Sequence, residues 1–566
     1  MQDSLCCYVS TFQLLGNQKA PHHSISLKLQ SQTLSSQSET NKYAPSSRCE
    51  SAIPPIAMSS VHNPNPPNET PPIPRRPPAP ASKWKPLLFW ASAVLVLFLA
   101  LSLNATKPIP HLILSRPRPL HNLKPSLVQR FAGLFLPTRE KETLPISERT
   151  PCVLWMAPFL SGGGYSSEAW SYITALDTHI KDPKIRLRVE QHGDLESLDF
   201  WLGLPEESKA LAFNLHNTKC PMSETIVICH SEPGAWYPPL FATPPCPPTG
   251  YDEPAFVVGR TMFETDRVNP GHVERCNRMD AVWVPTEFHV SAFVRSGVDP
   301  AKVVKVIQPV DVEFFDPSKH EALVLPTGAP VLGSHPASTS ASSGGKEKEF
   351  VFLSVFKWER RKGWDALLKA YLEEFSKSDG VALCLLISAY HSGRDFGSRI
   401  VEFVEGSGLK EPDDGWAPVH VIDSHVPQSD LPRFYKAADA FVLPSRGEGW
   451  GRPIVEAMSM ALPVIATNWS GPEEYLTEEN GYPLPVDRMS RVTEGPFEGH
   501  LWAEPSVREL RVLMRRVASN PGEGRRKGRR AREDMMERYS PEIVARLVAD
   551  QVMKIWRNPG MVLKQH

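Results

Sequence analysis

From Phe441 to Thr467 the chain reads Phe-Val-Leu-Pro-Ser-Arg-Gly-Glu-Gly-Trp-Gly-Arg-Pro-Ile-Val-Glu-Ala-Met-Ser-Met-Ala-Leu-Pro-Val-Ile-Ala-Thr. This is a strand, a glycine loop, a helix and a second strand. The apolar run Ala440 to Leu443, closed by Pro444, has the length and composition of a buried parallel strand. Gly447, Gly449 and Gly451 leave the loop free to take positive φ and to let a ligand approach its backbone. Pro453 suits a first helical position, which predicts a helix over Ile454 to Met460 with its N-terminus aimed back at the loop. Two carboxylates bracket the turn, Glu448 in the loop and Glu456 in the first helical turn. Both are able to face one cleft, where the free N–H groups of the helix end also favour an anion.

Two glutamates separated by seven residues are a weak signal alone, but the whole string Pro-Ser-Arg-Gly-Glu-Gly-Trp-Gly-Arg-Pro-Ile-Val-Glu-Ala-Met resembles the signature of glycosyltransferase family 4. This family of group 1 glycosyltransferases consists of retaining enzymes with two facing Rossmann-like domains, the GT-B fold. The resemblance implies an α/β chain that moves a sugar, in most cases a hexose, from a nucleoside-diphosphate sugar to a hydroxyl acceptor. It implies that Glu456 binds the ribose hydroxyls and that Glu448 contacts the donor sugar, with Gly451 and Arg452 on the donor side. Upstream, the strand Phe350 to Phe356 runs into Lys357-Trp-Glu-Arg-Arg-Lys362-Gly363. Lys362 matches the family's lysine and Lys357 stands where the family usually has arginine, and both would hold the leaving diphosphate. The change keeps the charge and loses the bidentate fork.

The resemblance extends from about Pro151 to Trp556 and is looser in the first domain. The strand Pro151 to Ala157 leads through Ser161, Gly162, Gly163 and Gly164 to a helix expected from Glu168, and the family carries a comparable loop facing the donor. Thr225 to Cys229 is a strand ending in His230-Ser-Glu-Pro-Gly-Ala-Trp236, and strand ends of this kind present ligand groups in open α/β sheets. His230 either orients or deprotonates an acceptor hydroxyl or caps a loop; Trp236 either stacks on a sugar or belongs to the core. After the strand Ala255 to Phe263, many family members have a histidine that touches the donor sugar, and here the position is Glu264. Glu264 would accept hydrogen bonds from the donor sugar. Asp280 to Phe288 and Val310 to Phe314 resemble the family's last strand–helix unit and the exit from the first domain. Further helices are expected at Glu287 to Ser296, Trp364 to Phe375, Ser506 to Ser519 and Pro541 to Trp556, with a basic run, Arg525 to Arg530, between the last two. A helix through Ala438 is expected to be capped by Ser429-Asp430.

The front of the chain is of another kind. Gln2 to Pro80 is Ser-, Gln-, Asn- and Pro-rich and too poor in apolar residues to order itself. Pro86 to Leu103 carries no charge and is long enough to cross a bilayer. Arg75, Arg76, Lys83 and Lys85 lie before it, and the positive-inside rule keeps that side cytosolic. The expected organisation is a disordered tail over 1–85, a signal anchor over 86–103 and a stem over 104–149. An acceptor domain over 150–326, a flexible insertion over 327–349, a nucleotide-sugar domain over 350–535 and a terminal helix over 536–566 follow. The resulting type II protein has its catalytic part in the Golgi or ER lumen. Met58 is a second candidate start, and the acid-poor stretch before it is also compatible with a plastid transit peptide. In a secretory lumen some cysteines pair, and Cys220 with Cys246 is the expected pair.

The formal net charge of -1 gives no hint of nucleic acid as a partner. The expected partners are a nucleotide sugar, a glycan or other hydroxyl acceptor, and the membrane through a single helix. No bound metal or other cofactor is expected, because no Asp-x-Asp pair or ligand cluster marks the cleft. The competing reading is an inactive GT-B scaffold that binds a sugar nucleotide or glycan; a sugar-nucleotide epimerase is more remote.

Overall fold

The computed structural model describes residues 150–557 except 182–183, 251–252, 337–348, 390–392 and 424–425. The tail, the apolar run at 86–103 and the stem lie outside the described residues. Among the described residues no helix is long and apolar enough to cross a membrane.

Two six-stranded parallel sheets organise the chain, each covered by helices. The first is built from β1 (Cys152–Ala157), β2 (Arg186–Gln191), β3 (Thr225–His230), β4 (Phe256–Arg260), β5 (Ala281–Val284) and β6 (Val303–Lys305). Its strand order is β2-β1-β3-β4-β5-β6. Helices α1 (Gly164–His179), α2 (Leu198–Gly203), α3 (Glu206–His216), α4 (Pro270–Arg278) and α5 (Glu287–Ser296) connect these strands. The second sheet contains β7 (Phe350–Lys357), β8 (Val381–Ser388), β9 (Val419–Ile422), β10 (Ala440–Leu443), β11 (Val464–Thr467) and β12 (Tyr482–Leu484), in the order β12-β11-β10-β7-β8-β9. It carries α6 (Trp364–Glu374), α7 (Phe396–Ser407), α8 (Leu431–Ala437) and α9 (Arg452–Ser459). Strands such as β1, β3, β10 and β11 are buried along their whole length, as expected of parallel strands covered on both faces.

Beyond β12 a two-stranded antiparallel hairpin, β13 (Val486–Arg491) and β14 (Leu501–Pro505), stands apart from both sheets. Nothing in the sequence analysis anticipated it, because β13 is polar and largely exposed and β14 is only five residues long. Its tip reaches the first domain: Leu501 N–H donates to Asp266 Oδ1 at 2.7 Å and Asp266 N–H to Leu501 O at 3.0 Å. Helices α10 (Val507–Ser519), α11 (Pro521–Arg538) and α12 (Pro541–Arg557) end the described chain. Val544, Val548, Val552 and Trp556 of α12 join Ala169, Tyr172 and Ile173 of α1 in the core of the first domain. The chain thus crosses between the two sheets twice.

Several boundaries differ from those expected. α1 begins at Gly164, four residues before Glu168, since the glycine loop itself supplies its first turn. Arg525 to Arg530 is not a connection but the middle of α11. The glycines that obscure this helix in the sequence are what seat it: a Cβ at Gly528 would lie 2.1 Å from Ala461 O. Asp430 gives α8 no side-chain cap. Part of the segment expected to be a flexible insertion is paired, with Val331 N–H donating to Val419 O at 2.8 Å and Val419 N–H to Leu332 O at 2.9 Å.

The expected Cys220–Cys246 pair is also corrected. The bonded pairs are Cys152–Cys220 and Cys229–Cys246. Cys220 precedes β3 and Cys246 packs near its far end, so the two are separated by the strand's length, roughly 20 Å at about 3.3 Å per residue. Cys152, at the start of β1 beside β3, is the neighbour Cys220 meets instead.

Candidate active site

The site lies where the C-terminal ends of the strands in the two sheets face each other. β7 ends at Lys357, and a single 3-10 turn, Arg360–Lys362, carries the chain to Gly363. Gly363 has φ +68°, and a Cβ there would sit 1.9 Å from Pro444 O at the end of β10. Only glycine permits both, and the contact brings Lys362 over the loop after β10. There Lys362 Nζ donates to both oxygens of Glu448, at 2.7 and 2.9 Å.

Glu448 is 4% exposed, and its own N–H donates to Ser470 Oγ at 3.0 Å. Burial pushes its carboxyl up, but the Lys362 ammonium and the Arg361 guanidinium outweigh that and hold it below the usual range. Arg361 Nη1 donates to Gly447 O at 2.7 Å and lies 3.4 Å from Glu448 Oε2, while Nη2 reaches Glu359 at 3.1 Å and Glu264 at 3.8 Å. Sequence reasoning missed Arg361. Its signal was present, a second cation beside Lys362, but a basic run at a turn reads as solvated surface. Lys357 also lies in this field: burial and the charges of Lys362 and Arg361 push its ammonium down, opposed by Glu359 and Asp194.

Gly451 caps α9 with φ +91°, and Pro453 occupies the first turn. Of the three loop glycines, only Gly451 takes a positive φ. Gly447 and Gly449 serve a different end from the one expected. A Cβ on Gly447 would lie 2.0 Å from Glu264 O, and one on Gly449 would lie 2.6 Å from Met262 Sδ. They admit the backbone and side chain of the first domain rather than standing open to a ligand. Glu456, 7% exposed, accepts from Tyr435 Oη at 3.0 Å through Oε2. Its Oε1 lies 3.8 Å from Arg452 Nε. Burial pushes this carboxyl up, partly offset by Arg452 and Tyr435. Arg452 donates across the cleft to Ser171 Oγ of α1 at 3.2 Å, leaving its buried Nε and Nη1 without hydrogen-bond partners. Tyr435 was not anticipated, since nothing local marks a tyrosine that is 21 residues from its partner.

In the first domain, Gly162 takes φ +70° with the ring of Phe200 against it, and Gly163 N–H donates to Ser161 Oγ at 3.2 Å. Asp194 Oδ2 covers the other side of this loop, 3.2 Å from where a Gly163 Cβ would stand. Glu264 lies beyond β4 with its carbonyl against Gly447 and its carboxylate toward Arg361, on the wall of the same cleft.

His230 is 0% exposed with both ring nitrogens engaged, and the expectation that it serves an acceptor hydroxyl is corrected on that ground. Trp155 Nε1–H donates to Nδ1 at 3.0 Å, so the proton sits on Nε2, which donates to Glu168 Oε2 at 3.0 Å. Burial pushes the imidazole down, in keeping with that neutral tautomer. Trp236 is also core: its ring fills the space over Gly259, where a Cβ would approach to 2.3 Å. Glu168 Oε1 accepts from Arg260 Nε at 2.9 Å. Burial raises the Glu168 carboxyl, but Arg260 and His230 bring it from 4.5 to about 2. Because the folded-state value is depressed, the stability this group contributes is present above about pH 4.5 and is lost as pH falls toward 2. Glu168→Ala strands the Arg260 guanidinium in the core and is expected to cost about 3–5 kcal/mol, read by chemical denaturation at neutral pH.

Among the described residues no group of three or more His, Cys, Asp or Glu is arranged to hold a metal ion.

Comparisons with known proteins bear on the second sheet first. The model of the family described as Glycosyl transferases group 1 matches residues 347–493, the stretch that holds the second sheet. O-antigen chain mannosyltransferase B of Escherichia coli is 32% identical over 154 residues, 27% of this chain and 38% of that protein. A D-inositol 3-phosphate glycosyltransferase of Rhodococcus erythropolis is 26% identical over 177 residues, 31% of this chain and 35% of its own length. The chain thus spans well under half the length of these relatives. Among solved structures, sucrose-phosphate synthase from Thermosynechococcus elongatus aligns over 72% of this chain and 99% of its own, at 15% identity and a TM-score of 0.47.

Proposed function

We propose that this protein is a membrane-anchored retaining glycosyltransferase that moves a hexose from a nucleoside-diphosphate sugar to a hydroxyl acceptor. The observation that carries this reading is the Lys362–Glu448 contact at the N-terminal end of α9, with Glu456 buried in the same helix. Glu456 takes the ribose diol. Lys357 and Lys362 face the diphosphate at the N-terminal end of α9, and Arg452 offers its buried Nη1, which has no hydrogen-bond partner, on the same side. Binding the donor separates Lys362 from Glu448, turning the ammonium to a phosphate oxygen and the carboxylate to a sugar hydroxyl. Charge that grows on the departing diphosphate then meets groups already in place. The acceptor oxygen attacks from the face the diphosphate leaves, and a diphosphate oxygen takes the acceptor proton, which preserves the anomeric configuration without an enzymic nucleophile. Glu264 contacts the donor sugar from the first domain.

The reading extends to location. The uncharged run Pro86 to Leu103 anchors the chain with its fold in the Golgi or ER lumen, and the Cys152–Cys220 and Cys229–Cys246 bonds suit an oxidising compartment. Two measurements test the proposal. Purified protein given a panel of nucleotide sugars and hydroxyl acceptors is expected to release nucleoside diphosphate with one donor in an acceptor-dependent way; the absence of release with every donor argues for a binding scaffold. Protease added to sealed microsomes is expected to trim only the N-terminal tail, and loss of the C-terminal half would refute the lumenal orientation.

A further inference from the structure

A two-stranded hairpin is at best marginally stable alone, so the surfaces that β13 and β14 lean on are what hold them. Their root lies on the loop of the second domain that carries Glu448. Ala503 N–H donates to Arg446 O at 3.0 Å, and Arg446 Nε donates to Glu504 Oε2 at 3.0 Å. Arg446 precedes Glu448 by two residues, and its Nη1 and Nη2 each donate to Asp365 at 2.8 Å. This end of the hairpin is fixed to the donor loop.

The other end grips the first domain on both sides of Glu264. Before it, the Phe263 ring meets Phe497 edge to face with centroids 5.1 Å apart, and Phe497 packs on the buried cluster that holds Phe263 and Phe293. After it, Thr265 Oγ1 lies 2.8 Å from His500 Nδ1. The Thr265 hydroxyl donates to Arg267 O at 3.2 Å, which leaves His500 Nδ1–H as the donor of that bond. Asp266 then exchanges two hydrogen bonds with Leu501. Phe263, Thr265 and His500 are buried, whereas the Glu264 side chain stays 31% exposed with its carboxylate toward Arg361. The contact of Gly447 with Glu264 O limits how near the two segments come, and the hairpin limits how far they part.

Resting on the glycosyltransferase reading above, we infer that Phe497 and His500 are positioning residues for Glu264. The hairpin holds that carboxylate at a fixed distance from Glu448, so the donor sugar is gripped from both domains at once. Both residues act through Glu264 and not on the sugar itself. Movement of Glu264 by about 1 Å is enough to cost on the order of 10²-fold in kcat/KM.

Hydrogen exchange on the full chain in detergent micelles tests the grip without substrate. Phe497→Ala and His500→Ala should each speed exchange of the Asp266 amide at least tenfold, with β7 and β10 unchanged. His500→Asn, which keeps a side-chain N–H near the place of Nδ1, should restore protection. His500→Ala removes less packing and keeps the test open where Phe497→Ala fails to fold. Unchanged exchange at Asp266 overturns the inference.

The kinetic test is a double-mutant cycle with Glu264→Ala. His500→Ala is expected to lower kcat/KM for the donor at least tenfold in the wild-type background and less than twofold once Glu264 is removed. Calorimetry should find the affinity for UDP or GDP held within threefold, because the nucleotide rests on second-domain groups. An equal fall in both backgrounds would make the hairpin a structural brace only, and a matching loss of nucleotide affinity would show that the donor loop itself had moved. Either result refutes the positioning role. If the wild-type chain binds neither nucleotide, the donor-site reading fails and this inference falls with it.

Discussion

Lys362→Ala is expected to lower kcat about 10²-fold or more, the scale of removing one preorganised charge-stabilising donor from an active site. Lys362 Nζ donates to both oxygens of Glu448, so that pair holds the ammonium at the cleft until the donor draws it to a phosphate oxygen. Its loss also leaves Glu448, 4% exposed, with Arg361 as its remaining cation, and some destabilisation accompanies the kinetic defect. Two readouts separate these effects. Nucleoside diphosphate release at saturating donor reports the loss of charge stabilisation, and the denaturation midpoint reports the stranded carboxylate. Lys362→Arg keeps the charge and is expected to recover the midpoint more fully than the rate, because the ammonium's position is what the chemistry uses. Wild-type turnover in Lys362→Ala would place the reaction elsewhere.

Gly447→Ala is expected to have the second large effect, although alanine adds a single methyl. Its Cβ would stand 2.0 Å from Glu264 O and 2.9 Å from the Trp469 ring. The oxygen is backbone and has no rotamer to retreat into, so the two walls must part. Overpacking of this kind costs about 1–3 kcal/mol. A displacement near 1 Å between the walls is enough to cost on the order of 10²-fold in kcat/KM. Gly406→Ala provides the contrast. That glycine is in α7 with nothing near its Cβ position, and the change should stabilise the helix by about 0.5–1 kcal/mol and leave kinetics alone. Equal behaviour of the two variants would show that the cleft closes loosely enough to ignore a methyl.

The strand–loop–helix–strand unit around Glu448 and Glu456 was legible because its determinants are local. An apolar run of strand length, glycine at the turn and proline in the first helical turn need no partner elsewhere in the chain. β10 matches its expected limits, Ala440 to Leu443, and α9 begins within two residues of expectation. The same holds for Lys362-Gly363, where the glycine announces a turn, and for α5 over Glu287–Ser296. α11 was not legible, since Gly522, Gly524 and Gly528 read as breaks until the surface they pack on is known.

What the sequence determined by itself, then, is the locally patterned elements such as β10, α5 and α9, the glycine turns at the strand ends and the residue types available there. Hydrophobic periodicity and backbone sterics act over a few residues, and a chain cannot help displaying them. What only the tertiary structure decided is which of those residues meet. It turned His230 into the centre of a buried network with Trp155, Glu168 and Arg260, gathered from 75, 62 and 30 residues away, and so withdrew it from the cleft. It joined Arg361 to Glu448 and Glu264, and pressed Gly447 against the opposite domain. It paired Cys220 with Cys152 and not with the cysteine nearer in sequence. Contacts of this range depend on strand order and on the closure of one sheet upon another. Neither leaves a periodic trace in the sequence, because side chains that meet across a cleft share no local constraint.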